Sequence, residues 1–137
     1  MQDMIDEKIE NLLEMQCWII DILPMRVPKD KAREYNELEK EYLHTEELNW
    51  KFFTVLMKLR CYYNFKAVLS DGEEIDDLSA EKLKEHVGHR YLQILFEDAM
   101  LVSDPDDMYM SLFNPSDRVL EIVKAIVATE GMCVWES

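Results

Sequence analysis

The amino-acid sequence predicts an α+β domain of two layers, in which a mainly antiparallel sheet of about four to five strands is covered on one face by helices. Two observations carry this expectation. Apolar residues recur at helical spacing near the N-terminus, in residues 46–59 and after Ser116, while the extended runs between them follow one another through short turns rather than alternating with helices one for one. With no linker, internal repeat or low-complexity tract, residues 1–137 read as a single globular domain.

Ile5, Ile9, Leu12 and Gln16 share a helical stripe that Leu13 widens, and Asp6, Glu7, Glu10 and Glu14 lie opposite, so a helix is expected over 3–15. Cys17 to Leu23 is β-branched and aromatic and runs up to Pro24 and Pro28, the composition of a strand. Pro28 then suits the first turn of a polar surface helix whose narrow stripe is Tyr35, Leu38 and Tyr42. Thr45 is placed to cap a helix over 46–59, with Glu46 and Glu47 at the positive end of its dipole. Leu48, Phe52, Val55, Leu56 and Leu59 form its main stripe, and Trp50, Phe53 and Met57 widen it enough that the helix belongs at the centre of the core.

Cys61, Tyr63, Phe65, Ala67 and Leu69 alternate with their neighbours as in a strand with one buried face, which the acidic run Asp71 to Asp77 ends. Ser79 caps a short helix closed by Gly88. Tyr91–Phe96 and Ala99–Val102 read as one bent strand or two, and Met108–Phe113 as another, joined by the turn-forming residues 103–107 into a hairpin. Asn114 as cap, Pro115 in the first turn and Asp117 at the third position open a helix carrying Val119, Ile122, Val123, Ile126 and Val127 on one face; Gly131 stops it and Met132–Trp135 closes the sheet. The strand from Met108, this helix and the last strand have the order of a right-handed crossover, which makes those two strands a parallel pair.

Composition excludes more than it suggests. Three glycines, at positions 72, 88 and 131, build neither a phosphate-cradling loop nor a dinucleotide fingerprint. Cys17, Cys61 and Cys133 are odd in number and sit among apolar neighbours, so reduced, buried thiols of raised pKa are expected rather than a disulfide framework or a reactive nucleophile. The acidic N-terminus lacks the pattern of a secretion signal, and the longest uncharged stretch, Met108 to Ser116, is far short of a membrane span. A soluble cytoplasmic protein is expected.

Charge is the most informative property. Residues 1–69 hold 13 acidic and 10 basic side chains, a net −3, whereas residues 70–137 hold 16 and 5, a net −11. Nucleic acid and acidic membrane surfaces are disfavoured as partners, because both demand clustered Lys and Arg. A basic protein partner is favoured, since an acidic face accelerates encounter and discriminates among partners. The residues expected to meet it are Asp71, Glu73, Glu74, Asp76 and Asp77 in one loop and Asp104, Asp106 and Asp107 in the hairpin turn, with Trp18, Tyr62 or Trp135 as aromatic anchors.

The remaining constellations are weaker. His86 and His89 are the one close pair of metal-type side chains, but they stand three apart with Gly88 between them, unlike two ligands on successive turns of one helix. The 71–77 loop lacks the ligand spacing of an EF-hand. Asp21 is the one acid set within an apolar strand, either on the solvated face or buried with a partner and a shifted pKa. Together these observations predict a protein without catalytic activity or cofactor that acts by protein–protein interaction, such as a bacterial immunity or antitoxin-like inhibitor covering a basic nuclease groove. The alternatives are a metal-assisted hydrolase using His86 and His89, and a domain that forms a homodimer through the edge of Met132–Trp135 or of Cys17–Leu23.

Overall fold

The computed structural model describes residues 2–137, with side chains from Met4 onward. In chain order it contains α1 (Gln2–Leu13), β1 (Cys17–Asp21), a single 3-10 turn at Lys29–Lys31, α2 (Ala32–Tyr42), α3 (Glu46–Arg60), β2 (Lys66–Leu69), β3 (Glu74–Ile75), α4 (Ala80–His86), β4 (Leu92–Phe96), β5 (Ala99–Ser103), β6 (Met110–Phe113), α5 (Asp117–Ala128) and β7 (Cys133–Glu136). The strands form one sheet in the order β3-β2-β4-β5-β6-β1-β7, and every neighbouring pair is antiparallel. The α+β class is as expected, with seven strands rather than four to five.

Both faces of the sheet are covered, which corrects the expectation of one. Successive residues on the central strands point to opposite sides, and here each side has its own cluster. Ala67, Ile94, Leu101 and Leu112 join Leu48, Phe52, Leu56, Val123 and Val127 of α3 and α5 in the main core. Their chain neighbours Val68, Leu95, Met100 and Phe113 face the other way, where Ile9 and Leu12 of α1 pack on them. Two-sided burial explains why β4 and β5 read as almost unbroken apolar runs rather than as alternation.

Helix starts follow their caps. Thr45, Ser79 and Ser116 each accept a hydrogen bond from the backbone N–H three residues on, Leu48, Lys82 and Val119, at 3.2, 3.2 and 3.1 Å. The cap of α5 is therefore Ser116 and not Asn114. Asn114 instead adopts a φ of 54° and ties the loop to two other segments, its N–H donating to the Gln16 carbonyl at 2.8 Å and its Nδ2 to the Asp98 carbonyl at 3.0 Å.

Three further differences have physical causes. The strand expected from Cys61 begins only at Lys66, because α3 runs to Arg60 and the N–H groups of Cys61, Tyr62 and Tyr63 turn back onto the carbonyls of Lys58 and Leu59. Cys61 is consequently exposed rather than buried, and Cys17 and Cys133 are half-buried. The acidic run contains a short strand, β3, beyond a turn in which Asp71 Oδ1 accepts from the Glu73 N–H at 2.9 Å. Finally, β6 and β7 are parallel in direction but are not partners: β1 lies between them and pairs with both. With both of its edges satisfied, β1 offers no edge for self-association, while β7 stands at the end of the sheet.

Candidate functional site

β1 ends at Asp21, and its register decides what surrounds that residue. Ile20 belongs to the main core, so Ile19 and Asp21 face the opposite side of the sheet. There Ile19 is opposite Trp135 and Asp21 opposite Cys133 of β7, while the pairing of Ile20 with Met110 brings Tyr109 alongside Asp21. The segment after Asp21 carries Arg26 and Pro28 back over this face and leads into α2, which contributes Tyr35. A cavity of about 270 Å3 results, with Asp21, Tyr35, Tyr109, Trp135 and Arg26 in its lining.

The polar groups of this cavity are short of partners. Asp21 is only 4% exposed, and its Oδ1 makes no hydrogen bond; the buried Nε1 of Trp135 makes none either. Native proteins pair nearly all such atoms, with other protein groups, ordered water or a bound ion. Burial pushes the Asp21 carboxyl above its ordinary value, opposed by the nearby backbone N–H groups of Leu23 and Ile22 and by the Trp135 indole. Tyr35 is pushed up to about 12, first by burial and then by the charge of Asp21, and Tyr109 is raised by burial, Asp107, Asp104 and Asp21. Asp107 is itself raised by burial and by Asp104, Asp106 and Glu39. The carboxylates of Asp21, Glu39, Asp104 and Asp107 thus act on the two tyrosines, while Arg26 and Lys29 in the lining carry the opposite charge. The guanidinium of Arg26 lies over the Trp135 ring, 5.9 Å from its centroid, and no carboxylate among the described residues pairs with it.

A pH prediction follows from Asp21. Its folded-state pKa lies above the ordinary 3.8, so as pH rises through that interval the folded state gives up its proton less readily than the unfolded chain and stability falls. Asp21→Asn, whose amide oxygen can keep the backbone contacts, is expected to be more stable than the parent at pH 7 by roughly 1 kcal/mol. That advantage should vanish below pH 3.8. Taking the difference between the two proteins removes the parallel contribution of Asp107, which shifts in the same direction. Thermal melts of both across pH 3–7 check this, and equal stability at neutral pH would contradict it.

The acidic residues singled out in the sequence divide into two groups. Leu69 is opposite Leu92, Leu92 opposite Ser103, and Ser103 opposite Met110, so the β2–β3 turn with Asp71 and Glu73 lies at the same end of the sheet as the β5–β6 turn with Asp104, Asp106 and Asp107. Asp21 also lies at this end. Two strand spacings, about 10 Å, separate the positions from which the turns spring. Asp76 and Asp77 run back toward the other end with β3. Lys66 reaches Glu74 at 2.9 Å and Asp76 at 3.5 Å, which partly neutralises both.

Asp104, like Asp71, also shapes its own turn, accepting from the Asp106 N–H at 3.0 Å. His86 and His89 do not converge: His86 is buried with Nδ1 unpartnered, whereas His89 is exposed beyond Gly88. No group of three or more His, Cys, Asp or Glu side chains among the described residues is arranged to hold a metal ion. Of the aromatics expected as anchors, Tyr62 is 63% exposed, Trp18 is half-buried beneath the Lys124 ammonium at 4.8 Å, and Trp135 lines the cavity. Trp50, assigned to the core by its helical position, is 59% exposed instead.

No family model, curated protein or solved structure matches this chain. No helix among the described residues is long and apolar enough to cross a membrane. The lone acid in the Cys17–Leu23 run was the available signal for the cavity. Tyr35, Tyr109 and Arg26 carried none, because they come from separate segments that only the strand register and the return of the chain over the sheet bring together.

Proposed function

We propose that this protein is a non-catalytic binding protein whose acidic sheet end engages a basic protein partner. The observation that carries this reading is the convergence of two turns more than thirty residues apart in sequence, 71–73 and 104–107, with Asp21 at one end of the sheet. Charges placed together on one rim raise the association rate and suppress wrong partners far more than the same charges spread over a surface. An inhibitor of the immunity or antitoxin kind, lying across the phosphate-binding groove of a nuclease in the cytoplasm, is the specific form of this function that the charge pattern favours.

The test compares two neutralised variants. Asp104→Asn, Asp106→Asn and Asp107→Asn together preserve side-chain acceptors for the turn while removing three charges. Glu74→Gln with Asp76→Asn removes two charges that Lys66 already offsets. Captured at low salt from extracts of the source cells, the partner should be a basic protein. The triple variant is expected to weaken its binding by about tenfold, mainly through a slower association rate, and the double variant by less than about threefold. Binding that neither salt nor the triple variant affects would show that the acidity serves solvation alone.

A further inference from the structure

The cavity above Asp21 goes a step beyond an acidic surface, because it combines a buried carboxylate, one of whose oxygens, Oδ1, makes no hydrogen bond, with three aromatic walls. A carboxylate in this setting is costly unless a cation or a set of donors reaches it. The faces of Trp and Tyr rings attract a cation, most strongly when it is removed from water. One such contact is present already, since the Arg26 guanidinium rests over Trp135. Size narrows the occupant further: about 270 Å3 lies below the roughly 300–1,000 Å3 typical of pockets for drug-sized ligands and cofactors.

We infer that this cavity receives one arginine side chain of the basic partner, its guanidinium donating to the Asp21 carboxylate and stacking between Trp135 and the tyrosines Tyr35 and Tyr109. Guanidinium fits better than ammonium. It is flat, weakly hydrated and able to stack while its N–H groups reach a carboxylate in the ring plane. Asp104, Asp107 and Glu39 add negative potential at the two tyrosines. Arg26 and Lys29 oppose a second cation, and Arg26 occupies the ring face that the incoming guanidinium needs. Arg26 is thus a resident occupant that must swing out, which its exposed position in the loop permits. This inference rests on the reading of a basic partner, but the chemistry of the cavity is testable without one.

The experiment titrates the full chain with N-acetyl-arginine methylamide and reads the indole N–H signal of Trp135 by NMR, assigned with Trp135→Phe. N-acetyl-lysine methylamide and N-acetyl-glycine methylamide serve as comparisons. The expected result is a saturable shift with the arginine probe, at a dissociation constant of about a millimolar, weaker with lysine and absent with glycine. Asp21→Asn should weaken the arginine probe by about tenfold or more, and Arg26→Ala should tighten it by about threefold. The two substitutions act in opposite directions, which a general loosening of the fold would not produce.

Failure to saturate, or an unchanged affinity in Asp21→Asn, overturns the inference, as does a preference for lysine. Should the partner of the preceding section bind with Asp21→Asn and the parent equally well while the probe gives no shift, the acidic-surface reading survives and this one falls. A saturable arginine shift with no basic partner recovered means the reverse: the cavity is a guanidinium site and the acidic surface is not its delivery route.

Discussion

Leu56→Ala is expected to destabilise the folded chain by about 3–4 kcal/mol, lowering the melting temperature by roughly 10–15 °C. Leu56 is fully buried in the middle of α3, in the cluster that also holds Ile94, Leu101 and Leu112 of the sheet and Val123 of α5. Truncation removes three side-chain carbons from that packing and leaves a cavity. Strands pinned by hydrogen bonds on both sides cannot move in to fill it, so the cost belongs in the upper part of the range for such substitutions. Trp50 is the internal control. It lies on the same helix, carries a larger side chain and is 59% exposed, its ring centroid 5.4 Å from that of Phe53. Trp50→Ala should cost under about 1 kcal/mol. Denaturant titrations of both variants check the ordering, with unchanged dependence on denaturant showing that the two-state comparison holds. A Trp50→Ala cost equal to that of Leu56→Ala would contradict the described orientation of α3.

Gly88→Ala is the second large effect, at about 2–3 kcal/mol, and it arises from two separable causes. Gly88 has a φ of +79°, where any residue with a Cβ is strained by about 1–2 kcal/mol. In addition, a Cβ there would stand only 2.2 Å from Oδ1 and 2.4 Å from Cγ of Asn49 on α3. The end of the Asn49 side chain thus occupies the place that a side chain at position 88 would take. A double-mutant cycle separates the two contributions. Combining Gly88→Ala with Asn49→Ala should recover the steric part and leave the backbone strain, so the pair should cost less than the sum of the single changes. Strict additivity would mean that Asn49 simply rotates away and that the conformational cost is the whole effect.

Helix prediction succeeded where a local chemical signal was strong. Thr45 and Ser79 start their helices as their hydroxyls dictate, and the Val119 to Val127 stripe packs inward along α5. It failed where two local signals competed. At Asn114, Pro115 and Ser116 both Asn and Ser are good caps; Asn114 was drawn into a positive φ by hydrogen bonds to Gln16 and Asp98, partners distant in sequence, so the role passed to Ser116. At Cys61–Asn64 the alternation of large residues imitated a strand although the backbone there is the unwinding end of α3. Strand number was underestimated for the same kind of reason. A two-residue strand such as β3 has no periodicity of its own and exists because β2 offers it an edge.

For the candidate site the boundary between local and non-local information is equally clear. The excess of acid in the second half of the chain, the caps, the turns and the oddity of an aspartate among Trp18, Ile19, Ile20 and Ile22 are properties of neighbouring residues, and they could be read directly. Whether Asp21 faces water or protein could not, because a strand residue shows one side or the other according to register, and register is set by partners elsewhere in the chain. Pairing of β1 with both β6 and β7 placed Asp21 beneath Trp135 and beside Tyr109, and the return of residues 22–35 closed the cavity over it. The same pairing gathered the acidic turns at one end and sent Asp76 and Asp77 to the other. Charge and composition are sums over the chain and do not depend on its path; the potential at a carboxylate and the walls around it do, because both are set by which charges and side chains the path brings near.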